Sequence, residues 1–213
     1  MTLVAVPLFP RVTALDAVGP YEVLQRIPSI EVVFVGHRRG EVRTENGMLG
    51  LSCDARFDEV TSPDVVLVPG GIGTRQLIHD DTIRAWLQAV HPTTTFTTSV
   101  CTGALLLAAA GLLDGLTATT HWRASDLLND LGAHYVPDRV VEHLPRRIIT
   151  AAGVSSGIDM ALRLVELLVD RQAAQAAQLL IEYDPQPPFD AGSLAKADQA
   201  TVDRATQYLD ARQ

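Results

Sequence analysis

The chain is poor in cysteine, in aromatic side chains and in clustered positive charge. Its 213 residues include two cysteines, Cys53 and Cys101, which excludes the disulfide framework of a small secreted domain. His79, His91, His134 and His143 are scattered, with no Cys/His or paired-His spacing, so neither a metal site nor a cofactor is expected. No basic run exists and the formal charge is −8, against a general nucleic-acid surface. No apolar stretch approaches the roughly 18 residues of a membrane span. The opening MTLVAVPLFP lacks the basic start of a secretory leader. A reducing, cytoplasmic setting is expected. Aromatics make up 5% of the chain and hydrophobic residues 47%, so one sizeable core must be built from Val, Leu, Ile and Ala.

What the chain does contain is organised around residues 93–115, TTTFTTSVCTGALLLAAAGLLDG. Residues 94–100, β-branched and aromatic, predict a buried strand. Residues 103–113, rich in Ala and Leu, predict a helix ended by Gly111 and the Asp114-Gly115 pair. Cys101 lies between them with almost no room for a loop. A turn that tight strains its central residue and lifts the side chain above the sheet, as in a nucleophile elbow. The first N–H groups of the helix would then favour thiolate over thiol. The competing reading is a buried core thiol, and it fits Cys53 better, in the strand-like LSCDA run with no helix behind it.

Two further segments point to the same crevice. Residues 2–9 read as a first buried strand and 13–27 as a helix capped by Thr13. Asp16 then stands just past a strand's carboxyl end, where open α/β sheets bind ligands; it reads equally as an acid serving the helix dipole. After the apolar strand 65–68 comes Pro69-Gly70-Gly71-Ile72-Gly73-Thr74, neither a dinucleotide fingerprint nor a Walker loop. Gly71 and Ile72 could offer backbone N–H groups to a developing charge, or the segment could be a plain tight turn. His121 could be a base for Cys101 or a structural imidazole beside Trp122, which would line a pocket or pack the core.

Elsewhere, a strand is expected at 30–36, a hairpin at 41–54 turning at Asn46-Gly47, and helices at 81–91 and 122–131. Short strands are expected at 116–120, 133–136, 139–144 and 148–151. A long helix over 153–180, a proline-rich crossing at 184–189 and a polar helix over 194–213 complete the chain. The alternation predicts one domain over 1–213 with a parallel-rich sheet and helices on both faces.

LDAVGPYEVL at 15–24, VLVPGGIG at 66–73, SVCTGALLLAAAGLLDGLTATTHW at 99–122 and ITAAGVSSGIDMAL at 149–162 together resemble the ThiJ/PfpI superfamily, relatives of class I glutamine amidotransferases. Within it the chain is most similar to the isonitrile hydratase branch, which EYDPQPPFDAGS at 182–193 reinforces. The resemblance implies a flavodoxin-like α/β/α sandwich and a homodimer with its site near the interface. It also implies a lyase that hydrates a small-molecule isonitrile to an N-substituted formamide. The family's catalytic residues fall on Asp16, Cys101 and Thr102, with all three residue types matched; other branches carry Glu at the first position. Rival readings are an effector-sensing or redox-sensing module, or a glyoxalase- or deglycase-type hydrolase. The tail after Phe189 is too short and too acidic for a helix-turn-helix domain.

Overall fold

The computed structural model describes residues 1–211, which fall into two compact units, Met1–Ile181 and a second beginning at Glu182. In the first unit, β1 (Thr2–Pro7) leads into α1 (Ala14–Leu24). Then follow β2 (Ile30–Gly36), β3 (Gly40–Arg43), β4 (Gly50–Cys53), β5 (Ala55–Arg56) and β6 (Val65–Val68). After α2 (Thr74–Leu77) and α3 (Asp81–Val90) come β7 (Phe96–Val100), α4 (Gly103–Ala109), β8 (Thr117–Ala118), α5 (Ser125–Asp130) and β9 (His134–Tyr135). The unit ends with β10 (Val140–His143), β11 (Ile148–Ala151), α6 (Ser156–Leu168) and α7 (Arg171–Leu180).

Seven strands form the central sheet in the order β10-β11-β7-β6-β1-β2-β5. All neighbours run parallel except β10 against β11. This is the flavodoxin-like α/β/α arrangement expected. Side-chain alternation divides the core between the two faces. Ala5, Val66 and Val68 pack on the α3 and α4 side, while Val4, Val6, Val65 and Leu67 pack against α1 and α6. In α3, Ile83, Trp86, Leu87 and Val90 are buried at helical spacing, and the Asp80 carboxylate caps the helix by accepting from the N–H groups of Thr82 and Ile83.

Chain direction places the site. From β1 the chain goes out to β2 and then returns through β6 to β7, so β1 and β6 flank the point where strand order reverses. At such a point the connections diverge and leave a crevice above the carboxyl ends of the strands.

The expected 41–54 hairpin forms as a two-stranded sheet of its own, β3 with β4, and β8 pairs with β9 in another. Other expectations need correction. The long helix over 153–180 is two helices. Asp170 adopts an extended conformation and its carboxylate accepts the Ala173 N–H, starting α7 afresh. Thr13 precedes α1 but makes no side-chain capping bond.

In the second unit, 184–189 is non-helical and α8 (Gln199–Asp210) is capped by Asp198, which accepts the Thr201 N–H at 2.8 Å. The expected helix reached 213; residues 212 and 213 lie outside the described residues.

The close packing of α4 on β6 makes a testable demand. A Cβ on Gly103 would stand 2.1 Å from the Val68 carbonyl oxygen, inside any allowed contact. Gly103→Ala is expected to lower stability by roughly 2–3 kcal/mol in urea unfolding. Unchanged stability would show that α4 is free to move off β6.

Candidate functional site

Asp16, Gly70, Cys101 and Val154 each follow the carboxyl end of a different strand, β1, β6, β7 and β11, and these are neighbours in the sheet. Cys101 adopts φ 57°, the left-handed conformation that a residue with a Cβ takes at a cost of about 1–3 kcal/mol. It is held there from both sides. Its N–H donates to the carbonyls of Ala151 and Ala152 at 3.0 Å, and its own carbonyl accepts the Thr120 hydroxyl at 2.8 Å. The polar neighbours of the sulfur are the Asp16 carboxyl and the N–H groups of Thr102 and Val154.

Asp16, in the first turn of α1, is fully buried. Oδ2 accepts the Gly70 N–H at 2.9 Å, while Oδ1 is buried without a hydrogen-bond partner. A Cβ on Gly70 would lie 2.8 Å from Oδ2 and 2.5 Å from the Thr102 nitrogen, so the turn closes on the carboxyl only because that side chain is missing. Burial raises the carboxyl from its ordinary 3.8 to about 7; the Gly70 N–H and the Cys101 thiol oppose the rise, and the Glu45 charge adds to it.

The thiol behaves opposite to expectation. Burial, then the Asp16 charge, push it well above its ordinary range, and the helix N–H groups do not offset them. The elbow therefore holds a protonated thiol against a carboxyl that is half ionised near neutrality. Proton transfer between the two is the chemistry this arrangement favours.

The other expected residues are placed as follows. Thr102 makes no hydrogen bond to Asp16; its hydroxyl accepts the Gly71 N–H at 2.8 Å and donates to the Gly71 carbonyl at 3.0 Å, so it locks the glycine turn. That leaves the Gly71 N–H occupied, and the Ile72 N–H donates to Glu45 Oε1 at 3.3 Å. The pair of free backbone donors expected at Gly71 and Ile72 is thus already engaged. His121 is not among the polar neighbours of Cys101. It packs against Gly153, accepts the Arg123 N–H on Nδ1 at 3.3 Å, and lies 5.4 Å from the Trp122 ring. Burial, then Arg75 and Arg123, lower its pKa to about 4, so it is neutral at pH 7. Trp122 is half-buried at the same edge, with the Arg123 guanidinium 5.9 Å from its ring centroid. Cys53 is buried in the core, its sulfur 4.0 Å from the Leu8 carbonyl oxygen.

Val154 and Glu45 carry no sequence signal that marks them. Val154 has φ 36°, a strained value for a β-branched residue, which turns its N–H toward the sulfur. Glu45 reaches the glycine turn because the β3–β4 hairpin is tied to the segment after β1 by the Arg11 N–H to Arg43 carbonyl bond. Among the described residues no cluster of three or more His, Cys, Asp or Glu could hold a metal ion, and no helix is long and apolar enough to cross a membrane.

Residues 2–167 match the DJ-1/PfpI family. The chain belongs to the DJ-1/PfpI family. Among curated members it is 43% identical to isonitrile hydratase of Pseudomonas putida, over 93% of this chain and 86% of that protein. A solved ThiJ/PfpI family protein from Pseudomonas syringae superposes with a TM-score of 0.91 at 36% identity, covering 99% of this chain and 86% of that one. The HTH-type transcriptional regulator GbdR of Pseudomonas aeruginosa is 27% identical over 64% of this chain, which spans 37% of the regulator's length. The chain is thus similar to an enzyme over nearly its whole length and to a regulator over part of it.

The buried carboxyl sets a pH dependence of stability. Its pKa is raised on folding, so its stabilising contribution is complete below pH 3.8 and is lost as pH rises through about 7. Asp16→Asn removes that ionisation. Its thermal midpoint is expected to exceed the wild type's by roughly 5 °C or more at pH 8 and by clearly less at pH 5. Equal shifts at both pH values would mean that Asp16 is not neutral in the fold.

Proposed function

We propose that the protein is an isonitrile hydratase, a lyase that adds water to R–N≡C to give an N-substituted formamide. The observation that carries this reading is the 43% identity to isonitrile hydratase over nearly the whole chain. The chemistry of the site supports it. An isonitrile carbon must receive both a nucleophile and a proton, and Cys101 and Asp16 supply one each.

In the proposed cycle, the Cys101 sulfur attacks the terminal carbon while Asp16 delivers a proton to it; the thiol's own proton returns to Asp16. The product is a thioimidate, Cys101–S–CH=N–R, a net addition of S–H across one carbon. Asp16 gives that proton to the imine nitrogen and, as a carboxylate, takes one from the water that attacks the same carbon. The C–S bond of the tetrahedral adduct breaks as its hydroxyl becomes the formamide carbonyl, and that hydroxyl proton passes through Asp16 to the sulfur, which leaves as thiol. The N–H groups of Thr102 and Val154 favour sulfur when it carries charge. Thr102 acts by fixing the Gly70–Gly71 turn that grips Asp16. Neutral His121 and Trp122 line the substrate side.

We also infer a homodimer with the site near its interface, in a reducing cytoplasm. Leu15, next to Asp16, and Met48 and Leu49 on the hairpin tip are exposed apolar side chains, which a second copy would cover.

The deciding assay mixes protein with cyclohexyl isocyanide and follows N-cyclohexylformamide by chromatography. Cys101→Ala and Asp16→Asn are expected to lose roughly a thousandfold or more of kcat/KM. Wild-type kcat/KM is expected to fall above pH 7, as Asp16 loses the proton it must deliver. Mass spectrometry of stalled enzyme is expected to find the adduct on Cys101; its absence would remove the covalent route. A wild-type protein that makes no formamide would return the weight to a sensing role.

A further inference from the structure

Two arginines join the β10 region to α6, and they do so at different places. Arg163, in the middle of α6, reaches Glu142 on β10 at 2.8 Å and Glu166 on its own helix at 2.7 Å. Arg139, directly before β10, holds the start of the helix. Its guanidinium donates from Nε to the Asp159 carboxylate and from Nη2 to the Ser155 hydroxyl at 3.3 Å, and its carbonyl accepts the Ala152 N–H at 3.0 Å. Ser155 stands at the N-cap of α6, yet its side chain makes no capping bond there. One residue thus grips the chain on both sides of Val154.

The gripped turn is the one on which Cys101 rests. The Cys101 N–H donates to the carbonyls of Ala151 and Ala152 at 3.0 Å. Ala152 therefore accepts from the elbow with its carbonyl and donates to Arg139 with its N–H. Gly153 lies against His121, where a Cβ would stand 2.7 Å from Cδ2. Val154 then takes φ 36°, a conformation that a β-branched side chain disfavours, and turns its N–H to the sulfur. A residue held off its preferred backbone conformation relaxes unless its surroundings fix it. Here bonds at Ala152 and Ser155 do so, and Arg139 is the partner in both. The Arg139 side chain is exposed and is not among the polar neighbours of the sulfur, so it acts through these two residues.

We propose that Arg139 is a positioning residue for Cys101: by fixing the turn at Ala152 and Ser155 it keeps the Val154 N–H on the sulfur while the sulfur attacks and leaves. The inference rests on the hydratase reading for its reaction, but not for the grip itself. In each step the sulfur passes through a state richer in negative charge, and a donor already in place needs no reorganisation to meet it. The Thr102 N–H faces the sulfur as well, so losing the grip weakens this stabilisation without abolishing it.

The test compares Arg139→Leu with Arg163→Leu, which removes the other arginine link between the same elements. Hydration of cyclohexyl isocyanide by Arg139→Leu is expected to lose roughly threefold to tenfold in kcat with KM little changed. Arg139→Lys, which can still reach Asp159, is expected to restore part of the loss. Ser155→Ala combined with Asp159→Asn cuts the same grip from its other end and is expected to match Arg139→Leu. Arg163→Leu is expected to lower the thermal midpoint by a similar amount and to leave kcat in place. A second readout needs no turnover: the Val154 amide resonance, identified by its response to Cys101→Ala, is expected to move in Arg139→Leu and to stay in Arg163→Leu. An unmoved Val154 resonance in Arg139→Leu would overturn the grip. A moved resonance with unchanged kcat, or an equal fall of kcat in Arg163→Leu, would overturn the positioning role and leave the hydratase standing. No formamide from the wild type, with a Val154 resonance that depends on Arg139, would overturn the hydratase and leave the grip.

Discussion

Asp16 is fully buried, and the carboxyl it carries meets one backbone N–H and one sulfur. A carboxylate so placed gives up most of its hydration and recovers little of it, so the proton stays on well past the usual pH. Everything around the site sustains that condition. The aliphatic core on the α1 and α6 face closes off solvent from below. The glycine turn closes it from the side, at a distance no other residue at Gly70 would permit. The fold accepts a destabilising ionisation near neutral pH and obtains an acid that can still donate a proton there.

The sulfur is governed by the same condition. A cysteine at a helix start is ordinarily a lowered thiol, because the first N–H groups of the helix face it. Here burial and the adjoining carboxyl are larger effects, and the thiol is raised. Nucleophilicity then depends on Asp16 taking or giving the proton at the moment of reaction, which ties the two residues into one unit. The strained backbone at Cys101 and Val154 belongs to this arrangement. Both residues are bent so that a sulfur and an N–H point into one small volume, and the strand ends beneath them hold the bend.

Much of the fold was legible because buried parallel strands write themselves plainly. Val65–Val68 and Ile148–Ala151 are continuous apolar or β-branched runs between turn residues, Ile30–Gly36 is one interrupted only by Glu31, and each forms where the pattern puts it. The elbow was legible for a related reason, since strand, cysteine, small residue and glycine in that order allow few other geometries. Less legible was anything set by distant partners. The break between α6 and α7 came from one Asp acting as a cap inside a sequence that reads as continuous helix. The pairing of β8 with β9 away from the main sheet depended on which edges were left open.

The sequence by itself determined the order of elements, the aliphatic core and the identity of the chemical groups, because propensity and periodicity are local and act between near neighbours. Only the tertiary structure decided what those groups do. It brought four strand ends together, buried Asp16 against Cys101, engaged the Gly71 and Ile72 N–H groups with Thr102 and Glu45, and neutralised His121. Those outcomes are sums of desolvation and charge over residues far apart in the chain, and such sums exist only once the chain is folded.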